Sequence, residues 1–382
     1  MKDLILLIAG AVIGRYVTVY LDLYHKKLQI KKGRRSHEDL SNKLSKNLNT
    51  AILESGKPFF RPQDINISDS GKNLIVAIPE QYRARLLDND PTFVFRTQSS
   101  YNDSESFLDL ANLTGIRDLP ELIVKHADLV AQDIISRQEN NRLVFNGEMF
   151  GVKKIRRGRK TENEINHLQM QVYKTDFFTY QVFASIHRKL KSEGHPISKV
   201  SKLEELQNSE VDYSPFLSSF GLNAFVLLND GTSVVLGERS EYITHNERKY
   251  HFSMNEAFSQ TDLDYQGRPS LYQCLHRGLQ EELNINNDLT FGSSVRFLDL
   301  FFSIDKFEIG MTAVVNFENL TFEHLTERYK YAPDASLETH CLKLLDLDSV
   351  AVDSFLRANN MTDSAEYHLR LLSNRKQYGS LD

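Results

Sequence analysis

The segment GRPSLYQCLHRGLQEELNI, residues 267–285, decides how the chain is interpreted. Read as a helix, it places Gly278, Glu281 and Glu282 at positions i, i+3 and i+4, one above the other on a single face. Arg277 stands four residues before Glu281, which is the spacing of an intrahelical ion pair. A glycine in a helix interior costs about 1 kcal/mol relative to alanine, so something other than helix propensity must explain Gly278.

Strand-like segments surround this helix. Upstream, NAFVLL (223–228), the turn NDG and SVVLGERS (233–240) predict a β-hairpin, because the Asp-Gly pair supplies positive φ angles. A polar loop and HFSMNEAF (251–258) follow, and VRFLDLFFSI (295–304) and GMTAVVNFENL (310–320) predict further strands downstream. The predicted order is therefore hairpin, helix, strands and helix.

This arrangement resembles a Nudix domain, whose helix signature is G-x5-E-x7-R-E-U-x-E-E-x-G-U, with U apolar. Its R, U, E, E and final U are matched by Arg277, Leu279, Glu281, Glu282 and Ile285. The signature's two other Glu positions hold Pro269 and Gly278, and its two Gly positions hold Leu263 and Asn284. The resemblance covers about residues 220–345.

The resemblance bears directly on metal binding. Nudix hydrolases bind Mg²⁺ through carboxylates at three signature positions, which here are Gly278, Glu281 and Glu282. The first carboxylate is missing, and Mg²⁺ requires near-octahedral oxygen ligation, so two glutamates make a poor site. We therefore expect a fold kept for binding, with no catalytic residue, metal or cofactor. The alternatives are that Arg277 and Glu281 only brace the helix, or that the chain is an active membrane-tethered hydrolase of nucleoside diphosphate derivatives.

The N-terminus carries an apolar run, LILLIAGAVIGRYVTVYL (4–21), with one charged residue. As a helix it would span about 27 Å, near the thickness of a hydrocarbon core. Six cations follow within residues 26–35, so the positive-inside rule predicts a single-pass anchor in the bacterial inner membrane with the C-terminal domain in the cytoplasm. A cleaved signal peptide and a buried helix are the alternatives. Gly10 and Gly14 have the spacing of a helix-packing motif.

We predict an α/β protein: a single N-terminal transmembrane helix and a cytosolic Nudix-like α/β/α sandwich with an N-terminal α+β extension. The expected divisions are an anchor at 1–24, a basic helical linker at 25–60, the N-terminal part of a sensor region at 61–219 and the Nudix-like domain with C-terminal helices at 220–382. Within the third division, VKKIRRGRK (152–160) holds six cations. Such a run suits phosphate groups or anionic lipid, and it is also typical of a solvated loop.

Composition limits the possible partners. The chain has 382 residues, 41% hydrophobic and 25% charged, which excludes wholesale disorder. Its formal charge of −5 argues against a nucleic-acid polymer as partner but leaves room for a local basic patch. Cys274 and Cys341 provide no disulfide framework and fit a reducing compartment. His245, His251 and His276 lack the spacing of zinc ligands, so no metal is expected.

A degenerate Nudix helix behind a membrane anchor resembles the SMODS-associated NUDIX domain effectors of bacterial cyclic-oligonucleotide antiphage systems (CBASS), which are CD-NTase-associated proteins. The resemblance implies an antiviral defence effector that binds a cyclic di- or trinucleotide, forms a homo-oligomer and disrupts inner-membrane lipid. A scaffold without a nucleotide ligand is the alternative. Such a ligand needs cations for its phosphates and aromatic or arginine planes for its bases. The candidate contacts are Arg239, Tyr242, Arg248, Tyr250, Phe252 and Arg277. For each of them the alternative is an ordinary surface charge or a core aromatic.

Overall fold

A computed structural model describes residues 2–102, 107–142, 144–159, 166–207, 210–241, 246–286, 294–335 and 339–379. The helices in these ranges are α1 (Lys2–Ser45), α2 (Arg83–Asn89), α3 (Leu108–Thr114), α4 (Leu119–Glu139), α5 (Phe177–Ser192), α6 (Leu203–Leu206), α7 (Leu271–Leu283), α8 (Phe322–Tyr329), α9 (Ser349–Ala358) and α10 (Asp363–Gln377). The strands are β1 (Thr50–Phe60), β2 (Ile65–Ile75), β3 (Ser100–Tyr101), β4 (Glu148–Arg159), β5 (Asn166–Asp176), β6 (Phe220–Leu228), β7 (Ser233–Arg239), β8 (Tyr250–His251), β9 (Met254–Ala257), β10 (Ser294–Ser303), β11 (Glu308–Asn316) and β12 (Thr339–Asp346).

The strands form two mixed sheets. The main sheet has the order β1-β10-β11-β6-β7-β12, with β8 beside β7 and β9 beside β6. Strands β11 and β6 are parallel, and the other pairs of this sheet are antiparallel. The small sheet has the order β3-β2-β5-β4, in which β2 and β5 are parallel.

The predicted hairpin and signature helix are confirmed. Asn229, Asp230 and Gly231 join β6 to β7 with φ angles of 53°, 55° and 71°, as the Asp-Gly turn requires. Helix α7 begins after Ser270, whose hydroxyl accepts a hydrogen bond from the Gln273 amide at 3.4 Å. It ends at Asn284 in the left-handed conformation, φ 53°, where the signature has glycine.

Helices cover both faces of the main sheet, because alternate residues of its central strands point to opposite sides. Ala224 and Val226 of β6 share one core with Leu279 of α7. Phe225, from the same strand, belongs to a second core with Leu369 of α10. The C-terminal part of the chain is therefore an α/β/α sandwich, with α7 on one face and α10 on the other.

The small sheet docks on the main sheet through Phe258, which follows β9. Its ring lies 5.1 Å from that of Phe150 in β4 and 5.9 Å from that of Phe220 in β6. The Phe150 amide also donates to the carbonyl of Phe258 at 2.9 Å. Buried residues of the small sheet, such as Met170, belong to the same core as Leu279 of α7, so the two sheets share one hydrophobic interior.

The predicted transmembrane helix is wrong, and so is the single-pass location in the inner membrane that rested on it. Within the described part of the chain, the structure has no helix that is both long and apolar enough to cross a membrane. Helix α1 continues through Ser45, well past the predicted end of the anchor, because its later turns dock on α10. Ser41 and Tyr367 share a hydrogen bond of 2.7 Å, and Asn374 donates to Ser36 at 2.9 Å. The side-chain packing around Gly10 and Gly14 lies outside the described residues.

The predicted linker, residues 25–60, contains a β-strand in its second half. Strand β1 pairs antiparallel with β10 and forms one edge of the main sheet. Its register shifts between Ser55 and Phe60, the interval that contains Pro58. Proline is tolerated at an edge strand and at a bulge because no ladder hydrogen bond is lost there, so the proline did not prevent a strand.

A buried ion pair fastens these N-terminal elements to the sandwich. Asp299 of β10 accepts a hydrogen bond from Arg375 of α10 at 2.6 Å, and their side chains are 1% and 5% exposed. Ser55 of β1 donates to Asp299 at 2.7 Å, and Nε2 of His37 in α1 lies 3.8 Å from it. Burial would raise the pKa of Asp299, but the charge of Arg375 outweighs burial and the pKa is lowered. Burial also lowers the pKa of His37 to about 4 and that of His368 to about 3.

Acidification is therefore expected to destabilise the fold between about pH 6.5 and pH 4. In that range the unfolded chain protonates His37, whose ordinary pKa is 6.5, while the folded protein keeps it neutral, so stability falls as the pH is lowered. For His37 alone the loss between about pH 7 and pH 5 is about 2 kcal/mol. Urea unfolding at the two pH values measures it.

The His37→Asn variant should lose less stability on acidification than the wild type. His25→Asn, an exposed histidine on the same helix, is the matched control and should follow the wild type. An identical pH dependence in His37→Asn and the wild type would contradict the assignment.

Candidate functional site

Arg277 stands at the centre of the candidate site. Its guanidinium forms a bidentate pair with Asp262 at 2.9 and 3.1 Å, and Nη1 contacts one carboxylate oxygen each of Glu256 and Glu281 at 2.8 Å. Nη2 also donates to the carbonyl of Ala257 at 2.9 Å. The side chain thereby joins helix α7 to β9 and to the loop that follows β9. The ion pair with Glu281 that the spacing predicts is present, but it is one of three.

The electrostatics of this cluster favour a permanently charged guanidinium. Burial opposes the charge on Arg277, but the hydrogen bonds of Asp262 and the charge of Glu256 outweigh it and raise the pKa further. Three carboxylates surround one cation, so the cluster carries excess negative charge. Burial, with the charge of Glu281 next in size, raises the pKa of the adjacent Asp334. A phosphate group approaching this cluster would meet repulsion unless another cation accompanied it.

Gly278 is required by close packing. A Cβ atom at this position would lie 2.5 Å from Cγ of Glu256, 2.5 Å from Sδ of Met254 and 2.9 Å from Cγ of Met254. A side chain at residue 278 would therefore overlap the side chains of Met254 and Glu256 unless these moved. The space that a side chain at this signature position would occupy is filled by β9, which explains the glycine without reference to helix propensity.

Glu282 points into the protein. Its side chain is buried, and Oε1 accepts a hydrogen bond of 2.7 Å from the backbone amide of Asn255 in β9. Both glutamates that match the signature thus contact the protein itself. Among the described residues, no group of three or more His, Cys, Asp or Glu side chains is arranged to hold a metal ion.

The predicted ligand contacts of the hairpin lie in a different network. Arg248 has a φ angle of 57° and pairs with Glu241 at 3.2 Å, and its second Nη lies 3.9 Å from Glu238. Arg239 ends β7 and donates its backbone amide to the carbonyl of Lys249 at 2.9 Å. The arginines of this group are interleaved with carboxylates, so a phosphate would have to displace Glu241 to bind Arg248.

The aromatic candidates have separate positions. Tyr250 is half-buried, and its ring stacks edge-on against Phe355 of α9 at 5.0 Å. Phe252 is fully buried, and its ring lies 4.6 Å from that of Phe225. It belongs to the core and has no access to solvent. Tyr242 lies outside the described residues.

Sequence reasoning missed three residues of this site: Met254, Glu256 and Asp262. Met254 and Glu256 lie in β9, and Asp262 lies in the loop that follows it. No spacing rule in the sequence links these residues to Arg277. Glu256 and Asp262 were visible only as isolated acids in a polar stretch. Their role depends on β9 pairing with β6, which brings Met254 opposite Ala224 and sets Glu256 under the helix.

Comparisons with known proteins find matches by structure alone. The sequence matches no family model, and no curated protein matches it. DR0079 from Deinococcus radiodurans matches with a TM-score of 0.30 and 13% identity, over 40% of this chain and 82% of that chain. A bifunctional NMN adenylyltransferase/ADP ribose pyrophosphatase from Francisella tularensis matches with a TM-score of 0.27 and 14% identity, over 51% of this chain and 47% of that one. The same protein complexed with AMP and Mn ion gives 0.27 and 15%, over 53% and 49%.

The present chain thus spans about half the length of the Francisella protein. The Nudix-like character of the fold follows from the chain's own elements: the hairpin β6–β7, helix α7 with its partial signature, and the α/β/α layers around the mixed sheet.

Replacing Gly278 with alanine should destabilise the protein by up to about 2 kcal/mol. Helix propensity favours alanine by about 1 kcal/mol, but the new methyl group would overlap Met254 and Glu256, and overpacking costs about 1–3 kcal/mol. Chemical denaturation measures the difference. Gln280→Ala, an exposed position on the same helix, is the control and should be neutral or slightly stabilising. A Gly278→Ala variant more stable than the wild type would show that β9 has room to move.

Proposed function

We propose that the chain is a Nudix-like binding protein that does not hydrolyse its ligand, and that the ligand is a cyclic di- or trinucleotide. The resemblance of the degenerate signature to the effectors of cyclic-oligonucleotide defence systems supports this class of ligand. In that role the bound nucleotide would stabilise an assembly of several copies by mass action, since a ligand that binds the assembled form shifts the equilibrium toward it.

One observation carries the non-hydrolytic part of the proposal. Arg277, a side chain of the protein, pairs with Glu281 of helix α7 and with Glu256 and Asp262, where a hydrolase needs a divalent cation. The position of the missing third carboxylate is closed by Met254 and Glu256. A metal-activated water requires an open coordination site, and the contacts of Glu281 and Glu282 leave their carboxylates engaged with the protein.

The purified protein should therefore give no turnover with Mg²⁺ or Mn²⁺ on ADP-ribose or dinucleoside polyphosphates. Isothermal calorimetry with cyclic di-AMP, cyclic di-GMP and a cyclic triadenylate should show micromolar binding to at least one of them. Glu281→Gln is the control for the hydrolysis assay, because Glu281 is the more exposed of the two signature glutamates. Turnover that this variant abolishes would establish the hydrolase instead, and the absence of heat with every cyclic nucleotide would exclude the receptor.

Arg277→Gln should convert the cluster into a site that responds to divalent cations. Removing the guanidinium leaves Glu256, Asp262 and Glu281 without their shared cation, which costs about 3–5 kcal/mol for a buried pair. Millimolar Mg²⁺ or Ca²⁺ should then raise the melting temperature of the variant but not that of the wild type, because hard cations bind carboxylate oxygens.

Arg268→Gln breaks an exposed pair with Asp264 and is the matched control; it should show neither the loss nor the metal response. If Arg277→Gln does not fold, Arg277→Lys, which keeps the charge but not the bidentate geometry, should fold with reduced stability. A folded Arg277→Gln variant that ignores divalent cations would contradict the idea that Arg277 takes a cation's place.

A further inference from the structure

The run of six cations at residues 152–160 belongs largely to strand β4, not to a solvated loop. Strand β4 pairs antiparallel with β5 along its length. The strand therefore separates its side chains onto two faces: Ile155 is buried in the core, whereas Lys154 and Arg156 on either side of it are exposed. Lys160 lies outside the described residues.

Two cations of the run, Lys153 and Arg157, form ion pairs that connect β4 to neighbouring segments. Lys153 pairs with Asp212 at 3.1 Å and donates to the hydroxyl of Ser214 at 3.1 Å. Arg157 forms an ion pair with Glu54 and lies 3.8 Å from Glu204. These contacts give Lys153 and Arg157 a structural role, and their charges are compensated.

The exposed edge of β4 is also capped. Oε1 of Gln207 accepts the amide of Ile155 at 3.0 Å, and its Nε2 donates to the carbonyl of Lys153 at 3.0 Å. The side chain of Gln207 thus replaces a further strand at this edge, which blocks edge-to-edge pairing. The neighbouring sheet face remains open.

The side chains of Lys154 and Arg156 form no hydrogen bond or ion pair within the described structure. The strand register places Lys154 opposite Gln171 and Arg156 opposite Gln169, and β2 continues both rows. The resulting polar face, here called the basic face, consists of Asn66, Ser68, Lys154, Arg156, Gln169 and Gln171. These side chains line a cavity of about 190 Å³, and no carboxylate is among the described residues that line it.

A second cavity of about 900 Å³ shares Lys154 and Gln171 with the first. Lys72 lines it from β2 and is a third cation whose ammonium forms no ion pair among the described residues. The two acidic residues that line this second cavity, Glu204 and Asp212, already form ion pairs with Arg157 and Lys153. The two cavities together reach the size of ordinary small-molecule sites, about 300–1,000 Å³.

We propose that the basic face binds the phosphate groups of the nucleotide ligand, with Lys154 and Arg156 as the phosphate contacts. The inference rests on the proposed function for the class of ligand, and it relocates the contact from the hairpin and helix α7. Uncompensated cations bind phosphate without breaking an existing ion pair, whereas Arg248 and Arg277 are each held by carboxylates. The amides and the hydroxyl supply further donors to phosphate and base oxygens.

The test is calorimetry of the full chain with ATP and with cyclic di-AMP, cyclic di-GMP and a cyclic triadenylate. In the Lys154→Gln/Arg156→Gln variant the affinity for the bound nucleotide should fall by about tenfold or more, because two charge-assisted contacts are lost. Arg117→Gln/Lys125→Gln removes two exposed cations elsewhere and is the matched control; it should bind like the wild type. Circular dichroism and melting temperature establish that both variants are folded.

The outcomes separate this inference from the proposed function. Cyclic-nucleotide binding that is lost in Lys154→Gln/Arg156→Gln supports both. Cyclic-nucleotide binding that is unchanged in this variant overturns the basic face and leaves the receptor standing. ATP binding that is lost in the double variant, with no heat from any of the three cyclic nucleotides, supports the basic face and rejects the cyclic-nucleotide receptor. Binding of none of these nucleotides to the wild type overturns both.

Discussion

The guanidinium of Arg277, held among three carboxylates, is the interaction on which the candidate site depends. It fixes helix α7 against β9 so closely that a side chain at residue 278 would overlap Met254 and Glu256. The same closeness brings Glu282 to the backbone of β9 and fills the place of a third carboxylate. This close packing therefore accounts for the glycine at residue 278, the burial of Glu282 and the pairing of Glu281 with Arg277.

A second buried charge organises the opposite side of the sandwich. Asp299 and Arg375 join β10 to α10, and Ser55 and His37 bring the N-terminal strand and helix to the same point. A buried pair of this kind contributes little net stability, yet removing one partner is costly, so it acts mainly to specify which elements meet. Here it joins the C-terminal turns of α1 and strand β1 to the folded domain.

The distribution of free and compensated cations separates structural from binding surfaces. Arg248 and Arg277 carry the sequence pattern of ligand contacts, but carboxylates surround them. Lys154 and Arg156 lie in a run that resembles a solvated loop, yet β-pairing presents them together on an open polar face. A phosphate is attracted by the net charge of a surface, to which cations paired with carboxylates contribute little. The basic face is therefore the better candidate for phosphate binding.

Local signals in the sequence determined the hairpin, the helix with its Arg277–Glu281 pair and the alternation of strands that follows, because turn chemistry and helical spacing act over a few residues. They did not determine how far the first helix extends, that the segment containing Pro58 forms an edge strand, or why residue 278 is glycine. Those features depend on contacts between residues distant in the chain: Ser41 with Tyr367, β1 with β10, and Met254 with helix α7. Which cations stay free for a ligand was likewise decided only by the tertiary structure, since compensation requires a carboxylate that folding brings near.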